Sequence, residues 1–183
     1  MAELSDDSEL LQQFRNESTK ERAFTAILKK YQEKLYWHIR RMVVEHEDAN
    51  DVLQNMFVKA WKGLDNFRED SRLYTWLYRI ATNESLTFLE QQKKRGTVSL
   101  SDDETGLSNK VKADSNFDGN KLEWKLQLAV QQLPEKQKAV FNLRYYEEMP
   151  YNEMSKVLET SEGALKASYH HAVKKIEEYI LNN

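Results

Sequence analysis

The chain has 183 residues, a length that suits one domain or two small ones, each still able to bury a helical core. It contains no cysteine, which excludes disulfide bonds and thiolate metal sites. Its N-terminus, MAELSDDSEL, is acidic and lacks an apolar run, and no later stretch approaches the ~18 apolar residues of a membrane span. We therefore expect a cytoplasmic protein that does not insert into a membrane.

The formal net charge is −3 at pH 7, and the charge is distributed unevenly along the chain. Lysine and arginine number 16 against 16 acidic residues in 1–95, 2 against 5 in 96–120, and 9 against 9 in 121–183. Two neutral halves thus flank an acidic connector. Because phosphates attract cations, a nucleic-acid partner would have to be bound by local basic patches and not by a global field.

Apolar residues at spacings of three and four predict two helices near the N-terminus, spanning about 7–16 and 20–44. Each follows a capping-box pattern, Asp6 to Glu9 and Ser18 to Glu21. The predicted inward residues are Leu10, Leu11, Phe14, Phe24, Ile27, Leu28, Tyr31, Leu35, Ile39 and Met42.

A third helix is predicted over about 47–61, with one apolar and one polar face. The inward set is Val52, Met56, Phe57, Ala60 and Trp61. The outward set is Asp48, Asp51, Gln54, Asn55 and Lys59. From the periodicity alone, the outward face is most simply explained as a solvated surface.

The segment 66–95, NFREDSRLYTWLYRIATNESLTFLEQQKKR, runs from a polar loop into the most aromatic helix of the chain. Its predicted inward stripe is Leu73, Leu77 and Ile80. The aromatic residues Phe67, Tyr74, Trp76 and Tyr78 are interleaved with Arg68, Arg72 and Arg79. Proteins that hold single-stranded nucleic acid stack bases on such rings and bind phosphates with such cations. A core helix with basic residues at its C-terminal end, where they suit the helix dipole, explains the same pattern.

The periodicity stops over 96–120, GTVSLSDDETGLSNKVKADSNFDGN, which holds three of the five glycines and clusters of serine and aspartate. We predict a flexible acidic linker that is too polar to form a core. The expected architecture is therefore all-α, with two small helical domains, 1–95 and 121–183, joined by this linker.

Four helices are predicted after the linker: about 122–132, one whose first turn is set by Pro134, one that begins at Pro150, and about 162–181. The short turn 159–161 makes the last two a helix-turn-helix candidate, in which the final helix would enter a DNA major groove. Helical hairpins that do not bind DNA share this pattern.

The final helix has a predicted inward stripe of Leu165, Ala172 and Ile176 and an outward face suited to DNA. Small residues near its start let the backbone approach base edges, and its first backbone amides suit a phosphate. The candidate contacts are Ser161, which also caps the helix, Glu162, Gly163, Lys166, Ala167, His170 and Lys174.

Neither a catalytic site nor a metal site is expected. Adjacent His170 and His171 point about 100° apart on a helix, so they cannot easily share a metal ion. The sequence has no Gly-rich phosphate loop, zinc-protease motif or recognisable nucleophile. We therefore expect no enzyme activity and no cofactor.

Two stretches resemble a known family. DNFREDSRLYTWLYRIATN, preceded by HEDANDVLQNMFVKAW, is similar to the second region of the extracytoplasmic-function class of bacterial sigma factors. LPEKQKAVFNLRYYEEMPYNEMSKVLETSEGALKAS is similar to the fourth region of the same class. The resemblance implies a protein that binds core RNA polymerase, reads the upstream promoter element with 121–183, and opens the downstream element of promoter DNA with 1–95. It also implies an anti-sigma protein that masks both domains.

The resemblance assigns roles to the outward faces. The third helix would dock on the polymerase clamp through Asp48, Asp51, Gln54, Asn55 and Phe57. The loop 65–72 would receive a base flipped out of the downstream element, and the linker would run through polymerase toward its active-site and RNA-exit channels. Contacts to the melted strand would come from Phe67, Arg68, Arg72, Leu73, Trp76, Arg79 and Asn83.

The final helix, 162–181, which would be the recognition helix, departs from the family pattern. Where arginines are expected, this chain has Ser168, His171 and Val173. The grip on DNA should therefore be weaker and depend more on Lys166, His170, Lys174 and Lys175.

Two alternatives remain open from the residues. One is an autonomous helix-turn-helix regulator that binds duplex DNA without polymerase, and the other is a helical adaptor that binds only protein. Neither needs Trp76, Arg79 and Asn83 beside a loop able to receive a base.

Overall fold

The computed structural model describes residues 2–96 and 121–183, with side chains from 7–96 and 122–183. Regular structure in these ranges is entirely helical, which confirms the all-α prediction. The N-terminal half contains α1 (Ala2–Phe14), α2 (Lys20–Val43), α3 (His46–Leu64) and α4 (Leu73–Lys94). The C-terminal half contains α5 (Lys121–Gln131), α6 (Glu135–Tyr145), α7 (Tyr151–Leu158) and α8 (Glu162–Asn182). The predicted linker, apart from Gly96, lies outside the described residues.

Helix α2 is the centre of the N-terminal half, because α1, α3 and α4 all pack against it. Its buried stripe repeats at three- and four-residue intervals, so one side of a long helix supplies most of the core. Buried side chains of the three neighbours complete that core: Leu11, Phe14, Val52, Met56, Ala60, Leu73 and Leu77.

The two predicted capping boxes are wrong. Helix α1 begins at Ala2, so Asp6 lies inside it and not at its start. The N-cap of α2 is Thr19, whose hydroxyl donates to the carbonyl of Gln13 at 2.6 Å and makes no cap to α2. The turn between α1 and α2 is tight, so acceptors at and just after the end of α1 lie within hydrogen-bonding distance of the Ser18 and Thr19 hydroxyls. The hydroxyl of Ser18 likewise donates to Asn16.

The helices of the C-terminal half lie close to where the sequence analysis predicted them. Pro134 and Pro150 stand directly before α6 and α7. Glu159 ends α7 in the left-handed conformation, with φ of +50°, and starts the turn to α8. Ser161 caps α8, because its Oγ accepts a hydrogen bond from the backbone amide of Ala164 at 3.3 Å. The inward stripe Leu165, Ala172 and Ile176 is buried as predicted.

The two halves pack directly against each other. Helix α4 lies against α7, and α2 lies against α6. A continuous hydrophobic cluster joins Leu77 and Tyr78 of α4 to Val140, Met149 and Met154 of the C-terminal half. The halves thus share a core, which apolar periodicity within one helix does not reveal.

Candidate nucleic-acid and polymerase-binding surfaces

The loop 65–72, between α3 and α4, is tied to the first two helices by ion pairs. Arg15 contacts Glu69 at 2.6 Å, and the ammonium of Lys20 contacts Asp65 at 2.9 Å. The hydrogen bond that the Lys20 ammonium donates to Asp65 raises the pKa of Lys20. Glu69 is held in the left-handed region, with φ of +61°. The loop therefore has a defined shape and is more than a spacer.

A cavity of about 260 Å³ opens between this loop and α1. Phe67 and Leu73 line it and are themselves buried, which places two of the predicted pocket residues together. Helix α1 forms the other wall, a contribution that the sequence analysis missed because the helix is some 60 positions away. The lining residues are Asp7, Ser8, Leu11, Phe67, Glu69, Ser71, Arg72 and Leu73.

Trp76 supports the loop from the side of α4. Its indole is half-buried, and its ring centroid lies 5.1 Å from that of Phe67. It also packs on Gly63, where an added Cβ would lie 3.1 Å from the indole. Of the other strand candidates, Arg68, Arg72 and Asn83 are exposed.

A different side of α4 is covered by the C-terminal half. Tyr78 is fully buried and donates to Glu147 at 2.6 Å, and Arg41 contacts the same carboxylate at 3.0 Å. Burial, and then the Glu147 charge, raise the pKa of Tyr78, so its phenol remains a donor. Tyr78 is therefore part of the packing between halves in this form, and not a free ring on which a base could stack.

Two more donors on α4 meet glutamates of the C-terminal half. Thr75 Oγ1 donates to Glu153 at 2.5 Å, and Arg79 contacts Glu159 at 2.5 Å. Thr75 is buried, whereas the side chain of Arg79 is 44% exposed and that of Glu159 is 68% exposed. Arg79, a predicted strand contact, therefore forms an ion pair in this structure, and its partner Glu159 is solvent-accessible.

Beneath this surface lies a histidine that the sequence analysis did not single out. His38 is completely buried, and its Nε2 is 2.9 Å from the hydroxyl of Thr82 on α4. Burial, reinforced by Arg41, lowers its pKa to about 3, so the ring is neutral at physiological pH. Its centroid lies 5.1 Å from that of Tyr78, which connects the buried imidazole to the contact between halves.

The predicted polymerase face lies along an open groove between α2 and α3, with a volume of about 700 Å³. Asp51, Gln54 and Phe57 all line it, so three of the five candidates come together. Asn55 is exposed, whereas Asp48 is half-buried and accepts from Gln92 of α4 at 3.2 Å. The sequence analysis missed the apolar side chains that share the groove: Phe24, Leu28, Leu53, Val58 and Trp61.

The outward face of α8 is open. All seven upstream-element candidates, Ser161, Glu162, Gly163, Lys166, Ala167, His170 and Lys174, are exposed. The ammonium of Lys166 lies 5.6 Å from the ring centroid of Tyr151, and the guanidinium of Arg144 lies 4.9 Å from the same ring. The tyrosine holds two cations near the start of α8, where backbone amides also favour anions.

Family models match most of these surfaces. Sigma-70 region 2 matches residues 27–95, and Sigma-70 region 4 matches residues 123–176. The RNA polymerase sigma-H factor of Pseudomonas aeruginosa is 32% identical over 165 residues, which are 86% of each chain. The ECF RNA polymerase sigma-E factor of Haemophilus influenzae is 29% identical over 98% of each chain.

The protein belongs to the extracytoplasmic-function class of sigma factors. Among the solved structures that share its fold are two complexes with other proteins. CnrH, in complex with the cytosolic domain of CnrY, superposes with a TM-score of 0.71 at 22% identity, over 97% of this chain and 99% of that one. The sigma factor RpoE of Bartonella quintana, in complex with the anti-sigma factor NepR, gives 0.65 at 23% identity, over 86% and 96%.

This sigma factor directs core RNA polymerase to specific promoters. The region 2 match covers α2 from residue 27 onward, α3 and α4, and hence the loop 65–72 and every groove-lining residue except Phe24. The region 4 match covers the helix-turn-helix and most of α8. Helix α1 lies outside both matches, although it forms one wall of the loop cavity. Within the described ranges, each helix is too short or too polar to span a bilayer, and the side chains form no metal-binding cluster.

Proposed function

We propose that this sigma factor divides promoter recognition between its halves. Residues 1–95 bind core polymerase and open the downstream element, 121–183 read the upstream element, and 96–120 join them. The protein performs no chemistry of its own, because RNA synthesis belongs to the polymerase, and it works in the cytoplasm with that enzyme. The observation that carries this proposal is the cavity at the loop 65–72, which lies beside the exposed cations Arg68 and Arg72 that precede α4.

Strand opening uses the cavity and the adjoining side of α4. Flipping a base out of a duplex costs a few kcal/mol of stacking and pairing, which new contacts must offset. Phe67 and Leu73 supply an apolar wall for the base, and Trp76 keeps Phe67 in place through ring packing. Arg68, Arg72 and Arg79 contact the strand backbone, and Asn83 hydrogen-bonds a base or sugar.

Polymerase docking uses the groove between α2 and α3. Asp51 and Gln54 supply polar contacts beside a mainly apolar lining that includes Phe57, a combination typical of a protein interface with an apolar centre and polar edge. Asn55 adds a contact at the same exposed surface. Asp48 contributes less directly, because it already accepts from Gln92.

Upstream recognition uses α8. The exposed Lys166, His170 and Lys174 follow one another at four-residue intervals and so share one face of the helix. Ser161 and the first amides meet a phosphate, while Gly163 and Ala167 allow close approach to base edges. Glu162 accepts from a cytosine amino group or points away from the duplex.

An anti-sigma protein completes the set of partners. The structure of CnrH contains the cytosolic domain of CnrY, and that of RpoE contains the anti-sigma factor NepR. We infer that a protein of that class binds this chain as well, over surfaces that polymerase would otherwise use.

Opening can be separated from polymerase binding by changing Asn83. Asn83→Ala should leave holoenzyme formation intact yet impair open-complex formation on a duplex promoter, because only the melted strand meets this amide. Activity should return on a template whose downstream element is already mismatched. Permanganate footprinting measures the melted bases, and Thr87→Ala, an exposed polar change one turn further along α4, is the matched control. Normal opening by both Asn83→Ala and Arg79→Ala would remove α4 from the melting surface.

Docking is tested at the groove. The double variant Asp51→Ala/Gln54→Ala should weaken titrated binding to core polymerase while leaving the melting temperature near that of the wild type, since both side chains are exposed. Glu33→Ala, which removes an exposed acid from α2 outside the groove, is the control. Unchanged affinity of the double variant would exclude this surface.

A further inference from the structure

Helix α1 contributes a polar wall to the cavity at the loop 65–72. Asp7 and Ser8 line the cavity from α1, whereas Phe67 and Leu73 form its apolar part. At about 260 Å³ the cavity is smaller than the roughly 300–1,000 Å³ of ordinary small-molecule sites, so it suits a compact group such as a single base. The sigma-70 matches begin at residue 27, and this wall therefore lies outside the part of the chain on which the family assignment rests.

Asp7 is an acceptor that is held in place. Its Oδ1 accepts from the Lys30 ammonium at 2.8 Å, and its Oδ2 accepts from the Tyr31 hydroxyl at 2.7 Å. The side chain is 13% exposed, compared with 43% for Glu69, the other carboxylate of the wall, which pairs with Arg15. A carboxylate that receives these two donors keeps about one lone-pair site on each oxygen and has no donor of its own. Asp7 thus presents a fixed acceptor to whatever enters the cavity.

Ser8 provides a donor next to that acceptor. Its hydroxyl both donates and accepts, and within the described side chains it makes no hydrogen bond. Because Ser8 directly follows Asp7 and lines the same cavity, the two groups stand side by side in one wall. The wall therefore offers an acceptor and a donor together, a pattern that distinguishes one base edge from another.

Only two of the four bases match this pattern at their Watson–Crick edge, which is the edge that proteins read on a flipped base. Adenine and cytosine present an amino group beside a ring nitrogen that accepts. Guanine and thymine present a carbonyl oxygen and a ring N–H at the same two places. Their carbonyl oxygen would face the Asp7 carboxylate with no hydrogen between them, and a polar group that is left unpaired in a closed site costs free energy.

We propose that α1 selects the base that enters the cavity. Asp7 accepts from the amino group, Ser8 donates to the adjacent ring nitrogen, and the cavity prefers adenine or cytosine over thymine or guanine. Arg72, which also lines the cavity, is exposed and contacts the strand backbone. This inference rests on the proposed role of the loop 65–72 in receiving a flipped base, and it adds which bases are accepted and which residues choose them.

Base analogues test the preference on the holoenzyme. On a promoter whose downstream element is already mismatched, each base of the melted strand is replaced in turn by the pairs cytosine and uracil, and adenine and hypoxanthine. Each pair exchanges only an amino group and a ring acceptor for a carbonyl and a ring N–H. At the flipped position, equilibrium competition binding should favour cytosine over uracil and adenine over hypoxanthine by roughly 5- to 100-fold, the range of a two-point base contact.

Variants of α1 assign the preference to its residues. Ser8→Ala should reduce the preference at that position by roughly threefold or more, since one of the two hydrogen bonds is lost. Asp7→Asn should abolish or reverse it, because an amide can donate to a carbonyl oxygen. Gln12→Ala, at an exposed position of α1 away from the cavity, is the matched control and should keep the full preference. Because Asp7 also anchors α1, Ser8→Ala decides the case if Asp7→Asn lowers the melting temperature.

The outcomes separate this inference from the proposed function. If the paired bases bind equally at every position, or if Ser8→Ala keeps the same preference as Gln12→Ala, selection by α1 is wrong, while strand opening by α4 and the loop stands as long as Asn83→Ala impairs it. If Asn83→Ala and Arg79→Ala open promoters normally, the melting surface is elsewhere, and the inference fails with the proposal on which it rests.

Discussion

The two candidate DNA surfaces of this sigma factor differ in what covers them. On α4, Thr75 and Tyr78 are buried and Arg79 is partly exposed, and each of the three donates to a glutamate of the C-terminal half. On α8, the candidates from Ser161 to Lys174 are exposed. The chain thus presents its proposed duplex-reading surface while it covers part of its proposed strand-holding surface.

The difference also shows that residue type does not predict accessibility. Both helices carry cations at helical spacing beside aromatic side chains, the pattern associated with nucleic acid. On α8 the aromatic partner, Tyr151, comes from the adjacent α7 and leaves Lys166 exposed. On α4 the cation meets Glu159, 80 positions along the chain. Only the packing of distant segments separates the two cases.

The largest expected effect comes from removing the partly buried carboxylate of Glu147 between the halves. Glu147→Ala should lower the free energy of unfolding by about 2–4 kcal/mol, because Arg41 and the Tyr78 phenol would lose their shared acceptor away from bulk water. Urea denaturation measures this loss. Glu178→Ala on the exposed face of α8 should stay within about 0.5 kcal/mol of the wild type. Equal stabilities of the two variants would contradict the view that the Glu147 carboxylate stabilises the contact between the halves.

The next effect concerns the open surface. Lys166→Ala should weaken promoter binding by the holoenzyme by on the order of 1–3 kcal/mol and relax the preference at one base position. Binding-site selection with the wild type and with Lys166→Ala measures that preference. The sequence analysis counted Lys175 among the DNA-binding cations, but it lies nine positions on from Lys166, at the opposite side of α8, where it donates to Gln137. Lys175→Ala therefore removes the same charge away from the proposed DNA-facing side and should leave the base preference unchanged. Uniform weakening on all sequences would assign Lys166 to a phosphate and not to a base edge.

A smaller effect, which depends on pH, concerns the buried histidine beneath α4. His38 has its pKa lowered to about 3, so the unfolded chain binds its proton first as the pH falls. Its contribution to stability is fully present above about pH 6.5 and is lost progressively toward pH 3, at no more than about 1.4 kcal/mol per pH unit. His38→Gln should flatten the decline of the free energy of unfolding between pH 6.5 and 4.5, as measured by urea titration.

The smallest effect is the exposed ion pair between α4 and the C-terminal half. A double-mutant cycle on Arg79 and Glu159 should give a coupling of about 0.2–1 kcal/mol, since both side chains are solvent-accessible. The coupling should shrink as salt is raised to about 1 M, where the screening length is about 3 Å. A coupling that is large and independent of salt would mean that this contact, and not the apolar packing, holds the halves together.

Apolar periodicity was sufficient for most of the helices. The predicted ends of α2 and α5 lie within about a residue of those observed, and the prolines before α6 and α7 stand where the helices start. The capping boxes failed because hydroxyls near Thr19 bond to the end of α1, a choice that depends on the angle between two helices. Local sequence patterns therefore predicted the positions of the helices well but did not predict the hydrogen bonds of their first turns.

The candidate site divides in the same way. Phe67, Leu73, Asp51, Gln54 and Phe57 could be selected from the sequence, since the resemblance to sigma factors depends on short, local motifs. Three features could not be selected from the sequence: the cavity wall formed by α1, the apolar side of the groove, and the C-terminal glutamates that contact α4. Each joins segments from about 25 to 80 positions apart, and no local spacing encodes such a pair.

Helical fold class, family and the faces of most helices follow from the order of residues, because a 3.6-residue period and a motif are both local properties of a chain. Whether a face is open or covered follows from how the helices pack. Burial of Leu77, Tyr78, Met149 and Met154 brings Glu147, Glu153 and Glu159 to α4, and the gain from that shared core is a property of the assembled surfaces. The same arginine spacing could therefore face solvent, a DNA strand or a carboxylate, and only the tertiary structure distinguishes among them.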